Sequence, residues 1–147
     1  MNHDNLPPDT RSSRPSRPSG PPGSEGEYFV LGGGQMGETI AKRLDASGYA
    51  VLIVDPSYDT AEIPGIQGDP TDPAVLDEAG LSKDTTAIVA TRSDRRNLLI
   101  AQLVRAHFSS RVVVLANNPD RTTAIADAGH EPICVTTACS DRIVTIL

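Results

Sequence analysis

Cysteine is scarce in this chain of 147 residues. Cys134 and Cys139 are the only two, and they do not form a C-x-x-C pair. The expectation is buried or unreactive thiols in a reducing compartment. Histidine is equally sparse: His3, His107 and His130 lie far apart without ligand-spaced companions, so no metal is assigned. No apolar run approaches a membrane span and no signal h-region is present, which predicts a soluble, cytoplasmic protein with no direct membrane insertion. Basic charge is in deficit, with 13 Lys+Arg against 19 Asp+Glu. A nucleic-acid backbone needs a basic footprint, so nucleic acid is not expected as the main partner. Almost all the basic residues are arginine, which fits genome bias or mild salt adaptation. This length builds one ordinary core and not two full domains.

What is present is more telling. Val30-Leu31-Gly32-Gly33-Gly34-Gln35-Met36-Gly37 is an apolar strand running into G-x-G-x-x-G, and Val51-Leu52-Ile53-Val54-Asp55 is a second apolar strand ending on a carboxylate. Together they form a dinucleotide fingerprint. Gly32 lets the chain turn off the strand, Gly34 allows close backbone approach to a pyrophosphate, and Gly37 lets the next helix pack on the sheet. The phosphates then face the N–H groups and positive dipole end of that helix. Asp55 would accept from the adenosine ribose hydroxyls and repel a 2′-phosphate, and no arginine follows it in Asp55-Pro56-Ser57-Tyr58. NADP is therefore disfavoured, while NAD(H), ATP and ADP fit.

Residues 1–26 hold half of the 12 prolines, with Ser, Gly and three arginines. Such a segment buries too little apolar surface to offset its ordering entropy, which predicts a disordered tail. Residues 27–147 read as one α/β domain, a Rossmann-like doubly wound parallel sheet. Strands are expected at Tyr28–Leu31, Ala50–Val54, Ile63–Gln67, Thr86–Ala90, Val112–Ala116 and Pro132–Val135. Helices are expected near Gln35–Ser47, with Ile40, Ala41 and Leu44 inward, at Pro73–Ala79 between Asp72 and Gly80, at Asp94–Phe108, and at Arg121–Asp127. A last helix is expected from about Ser140. The fourth strand reads as covered on both faces, and the Asp94–Phe108 helix offers Leu98, Leu99, Ala101, Leu103 and Val104 to the core. Ile143, Val144, Ile146 and Leu147 leave an apolar end of the kind a partner covers.

Four further features fall at the carboxyl ends of the strands, where ligands bind in such sheets. Asp69 would either accept from an adenine amino group or serve as a turn acid. Thr91-Arg92 lies beside the expected pyrophosphate. Asn117-Asn118-Pro119 either opens a helix or touches ligand. Arg92, Arg95 and Arg96 crowd the first turn of a helix against its dipole, either as a solvated face or, for Arg92 first, as a phosphate contact.

The order of the glycine turn, Val54-Asp55, Gly68-Asp69, Ala79-Gly80-Leu81, Thr91-x-x-Asp94-x-x-Asn97-Leu98 and Asn117-Asn118-Pro119 resembles the RCK N-terminal (TrkA-N) domain, over about residues 28 to 147. That domain is the nucleotide-binding regulatory module of Trk- and Ktr-type potassium uptake systems and of ligand-gated potassium channels. The T-x-x-D-x-x-N-L and A-G-L segments are not general features of dinucleotide folds. The resemblance implies a homodimer or larger ring below a membrane pore that binds NAD(H), ATP or ADP and catalyses nothing. It implies a cofactor-binding set of Gly32, Gly33, Gly34, Gln35, Met36, Gly37, Asp55, Asp69, Thr91 and Arg92, with NAD(H) ranked first and no catalytic or metal-binding residue. Two departures stand out. Leu115 occupies a fifth-strand position that is basic in many members, and the C-terminal ligand-binding lobe is absent from the sequence. A signal is therefore expected through the nucleotide or a second polypeptide.

The leading expectation is a regulatory subunit gating a membrane-embedded potassium or other cation transporter, cytoplasmic or held at the inner face of the membrane by that partner. One alternative is an orphan Rossmann interaction module serving another transporter. Another is a small NAD-dependent oxidoreductase, which would need a substrate domain and a placed acid or base. Tyr28, Tyr49 and Tyr58 have no lysine at a useful spacing.

Overall fold

Short strands of two to six residues pair side by side, and the crossovers between them, most of them helical, make the strands run parallel. The computed structural model describes residues 26–32, 34–59 and 62–147. The expected tail (apart from Gly26) and Gly33 lie outside the described residues. The strands are β1 (Tyr28–Leu31), β2 (Val51–Val54), β3 (Gly65–Ile66), β4 (Thr86–Val89), β5 (Arg111–Ala116) and β6 (Glu131–Cys134). The helices are α1 (Gly34–Ala46), α2 (Pro73–Ala79), α3 (Asp94–Phe108), α4 (Thr122–Asp127, after a 3₁₀ turn at Pro119–Arg121) and α5 (Val135–Ile146). The six strands form one parallel sheet in the order β3-β2-β1-β4-β5-β6. This is the doubly wound sheet expected.

Alternation along β1 divides the core between the two faces. Phe29 and Leu31 pack with Leu76 of α2 and Ile100, Ala101 and Val104 of α3. Val30 faces the other way, joining Val51, Ile53 and Ala41, with Ile40 and Leu44 of α1 against them. Helix α2 has the caps its sequence announces. Asp72 accepts from the Ala74 N–H, Pro73 sits at the first turn, and Gly80 closes the end.

Several expectations are corrected. Strand β4 is not covered on both faces: Ala87 and Val89 are buried, while Thr86 and Ile88 are only half-buried. Helix α1 packs chiefly on β1 and β2 and does not reach across the outer half of the sheet. On α3 the buried stripe is Asn97, Ile100, Ala101 and Val104, whereas Leu99 is 51% exposed. Helical spacing places it on the outer side although it is apolar. Helix α5 begins at Val135 and not near Ser140. Strand β5 ends at Ala116, opposite Cys134, so the β-branched run from Val135 has no ladder partner and coils instead. Neither thiol is buried: Cys139 is exposed and Cys134 half-buried. Cys134 opens α5, where the Thr137 hydroxyl and N–H, foremost among its donors, hold its thiol below the usual range.

His130 is a buried polar residue between α3 and β6. Its Nε2 lies 3.1 Å from Gln102 Oε1, and its Nδ1 has no hydrogen-bond partner. Burial first, and the Arg105 guanidinium second, hold its pKa below the ordinary 6.5. A group with a depressed folded-state pKa binds its proton more readily in the unfolded chain when it is a base. Stability is therefore complete above about 6.5 and falls as pH drops toward the folded value. Urea unfolding at about pH 7.5 and about pH 5.5 should show this loss, and His130→Gln should shrink it. An equal loss in the variant would assign the effect to other groups.

Candidate functional site

The carboxyl ends of the strands meet at the point where strand order reverses, between β1 and β4, which is where such sheets open a crevice. Gly32 leaves β1 with φ +90°, and its N–H donates to Val54 O at 2.9 Å. The chain then turns into α1, whose first turn has no acidic side chain to oppose an anion. Gly34 has φ +59°, and a Cβ built there would meet nothing within 4 Å. The backbone at the start of α1 thus faces open space that a side chain would partly fill.

Asp55 stands at the end of β2. Its Oδ2 accepts from the Ser57 N–H at 2.9 Å, and its carbonyl accepts from the N–H groups of Tyr58 and Gly68. These bonds fix the carboxylate on the crevice wall. On the other side of the glycine turn, the exit from β4 is held by Asn97. Its Oδ1 accepts from the Thr91 N–H, and its Nδ2 donates to Thr91 O and Leu115 O. Asp94 ties the same helix to the next loop, accepting from the N–H groups of Asn117 and Asn118 at 2.7 and 2.8 Å. The T-x-x-D-x-x-N spacing is therefore a set of hydrogen bonds that seats the β4 and β5 exits on α3.

The resulting cavity measures about 700 Å³, within the range of small-molecule sites. Of the residues expected from sequence, Gly34, Gln35, Met36, Asp55, Thr91 and Arg92 line it. Gly32 and Gly37 are buried beneath, the first against Thr91 and the second against the Gly32 carbonyl. Gly33 is outside the described residues. Asp69 is not in the lining: it closes a turn by accepting from the N–H and hydroxyl of Thr71, and it meets Arg96 at 3.2 Å. Those Thr71 bonds, ahead of Arg96, hold its carboxyl below the usual range.

Thr39, Pro56, Ser57, Ala90, Arg96, Leu115 and Asn117 complete the wall. Asn117 was already one of the alternatives read from sequence, and three others had readable signals. Thr39 lies three and four residues beyond Met36 and Gln35, on one helix face, and Pro56-Ser57 directly follows the acid. Arg96 could be read only as part of a charged cluster. The wall carries the Asp55 carboxylate beyond one side of the glycine turn, Arg92 beyond the other, Arg96 reaching from α3 toward Asp69, and apolar Met36, Ala90 and Leu115. A nucleotide fits this donor set: the open backbone at Gly34 suits a phosphate chain and Asp55 suits a ribose.

Fold and crevice together define a Rossmann-like domain with an open cleft at its switch point. Residues 28–136 match the TrkA-N domain family, and the chain belongs to it. A Trk system potassium uptake protein TrkA homolog from Methanothermobacter thermautotrophicus is 28% identical over 111 residues, which is 71% of this chain and 51% of the homolog. The chain thus spans about half the length of that relative. Among solved structures, the NAD(P)-binding domain of an exopolyphosphatase-related protein from Archaeoglobus fulgidus superposes with TM-score 0.73 at 23% identity, covering 82% of this chain and 96% of that one. The Kef C-terminal domain of Shewanella denitrificans in its AMP-bound form gives TM-score 0.70 at 22% identity, over 80% and 75%. The GsuK channel bound to NAD gives 0.64 at 20% identity, over 84% and 24%. At these identities the likeness is one of fold.

Proposed function

We propose that this chain is a nucleotide-binding regulatory domain acting on a membrane-embedded potassium (or other cation) transporter, and that its ligand is NAD(H) or, alternatively, ATP or ADP. The observation that carries the reading is the crevice at the switch point, with Asp55 beyond one side of the glycine turn, Arg92 beyond the other and Arg96 reaching into it from α3. Family membership and a relative named for potassium uptake support it, as do neighbours of the same fold bound to NAD and to AMP.

In this reading residues 27–147 form the working domain and the protein is no enzyme. The backbone at Gly32, Gly33 and Gly34 and the first N–H groups of α1, with Gln35 and Met36 beside them, hold the phosphates. Gly37 lets that helix approach. Asp55 accepts from the ribose hydroxyls and repels a 2′-phosphate. Thr91 and Arg92 meet the far end of the phosphate chain. A bound nucleotide shifts the packing between copies of the chain only by its differential affinity for two arrangements. The exposed Ile143, Val144, Ile146 and Leu147 of the α5 end offer an apolar surface for a second copy or for the transporter. The chain then works on the cytoplasmic side, at the membrane through its partner.

Calorimetry against NADH, NAD, ATP and ADP tests the proposal. At least one should bind, and Asp55→Ala should weaken it by about tenfold or more, since hydrogen bonds to a charged group contribute about 1.5–3 kcal/mol. Affinity untouched by the substitution would remove Asp55 from the site, and no binding by the unaltered chain would remove the nucleotide.

A further inference from the structure

Arg96 faces two ways. It lines the crevice, and its Nη2 donates to Asp69 Oδ1 at 3.2 Å. Asp69 is the fixed member of this pair, because the same Oδ1 accepts from the Thr71 N–H at 2.9 Å and from the Thr71 hydroxyl at 2.8 Å. Arg96 is the movable one: its side chain is 42% exposed and springs from the first turn of α3, where its own N–H is already capped by Ser93. A change of rotamer alone would free the guanidinium. Two arginines therefore line the crevice, and the protein's own carboxylate, beyond β3, neutralises one of them.

We infer that Asp69 is an internal competitor for Arg96, held against it in the free domain and displaced by the ligand's terminal phosphate. This rests on the nucleotide reading of the crevice. A carboxylate and a phosphate oxygen offer a guanidinium the same charge-assisted acceptor, so the exchange keeps Arg96 paired throughout. The exposed pair is weak enough to break. The exchange selects by chemistry. A nucleoside di- or triphosphate ends in a doubly charged group that can take both arginines. A dinucleotide's pyrophosphate is closed by a second ribose and gains less. Asp69 and Arg96 thus set specificity between these ligand classes, with Asp69 acting outside the cavity wall.

Titration of the full chain with ADP and with NAD tests this, using Asp69→Asn, Arg96→Gln and the double variant. Asparagine keeps an acceptor for Thr71 and removes the charge. Asp69→Asn should tighten ADP by about two- to fivefold, the range an exposed ion pair represents, and should tighten NAD less. The gain should vanish in the Arg96→Gln background. Asp69→Asn weakening either nucleotide would overturn the inference, because Asp69 would then touch the ligand itself. Equal tightening with and without Arg96 would reduce it to a long-range charge effect. Arg96→Gln leaves the Thr71 turn untouched and gives a second reading, in which ADP should lose more affinity than NAD and equal losses would overturn the competition. If the unaltered chain bound ADP and NAD equally poorly at every accessible concentration, the nucleotide reading would fail and this inference with it.

Discussion

Asn97→Ala is expected to lower the stability of the domain by about 2–4 kcal/mol, since two or more buried polar groups lose their partners at roughly 1–3 kcal/mol each. Asn97 is completely buried. Its Oδ1 takes the Thr91 N–H at 2.9 Å and the Thr91 hydroxyl, and its two amide hydrogens go to Thr91 O and Leu115 O at 3.1 and 3.0 Å. Each of its donors, and its acceptor, is used. Alanine would strand the Thr91 N–H and the Leu115 carbonyl in the interior, whereas Thr91 O would keep the Asn117 amide at 3.3 Å. Asn97→Asp should be worse at neutral pH, because a carboxylate oxygen would face two carbonyl oxygens. That variant should regain part of its stability on mild acidification, as a buried carboxyl with a raised folded-state pKa is favoured in its protonated form. Urea unfolding across pH measures both effects. Nucleotide affinity should fall even where the variants remain folded, since this side chain seats Thr91, from which Arg92 follows. A loss of under about 0.5 kcal/mol for Asn97→Ala would mean that the network is not buried as described.

The same network marks where sequence reading succeeds and where it stops. Local chemistry was legible. The Asp72–Pro73 start and Gly80 end of α2 depend on contacts within a few residues, and the glycine turn followed by a strand-end acid sits within one βαβ unit. The spacing from Thr91 to Asn97 was recognisable as a pattern, yet its reason lies in Leu115, eighteen positions onward and on another strand. Contacts across the chain were not legible. Asp69 read equally as a ligand contact or a turn acid, and only the fold brings Arg96 to it from twenty-seven positions away. Leu99 read as core because it is apolar, but the neighbours of α3 are on its other side. Helix α5 begins early because β5 stops, a fact about a different strand.

Gly37→Ala should be the most damaging single methyl in the nucleotide loop, lowering stability by about 3 kcal/mol or more, at the upper end of overpacking costs. A Cβ at this position would lie 2.3 Å from the Gly32 carbonyl oxygen and 3.2 Å from Val30 Cγ1. The first obstacle is backbone and cannot rotate aside. Either α1 lifts from the sheet, uncovering Val30, Ala41 and Ile53, or the turn after β1 opens and loses the Gly32 N–H bond to Val54 O. Both routes pull the helix N-terminus away from the crevice. Gly34→Ala separates packing from ligand approach, since a Cβ there meets no atom within 4 Å. Its stability cost should be only the roughly 1–2 kcal/mol of a left-handed non-glycine residue, while its methyl enters the space where a phosphate would approach. Thermal melts and nucleotide titrations of the two variants should therefore diverge. Gly37→Ala should unfold at a markedly lower temperature, whereas Gly34→Ala should remain folded and bind poorly. If Gly34→Ala bound nucleotide as tightly as the unaltered chain, the phosphates would have to lie elsewhere, and the open backbone at the start of α1 would have no part in holding them.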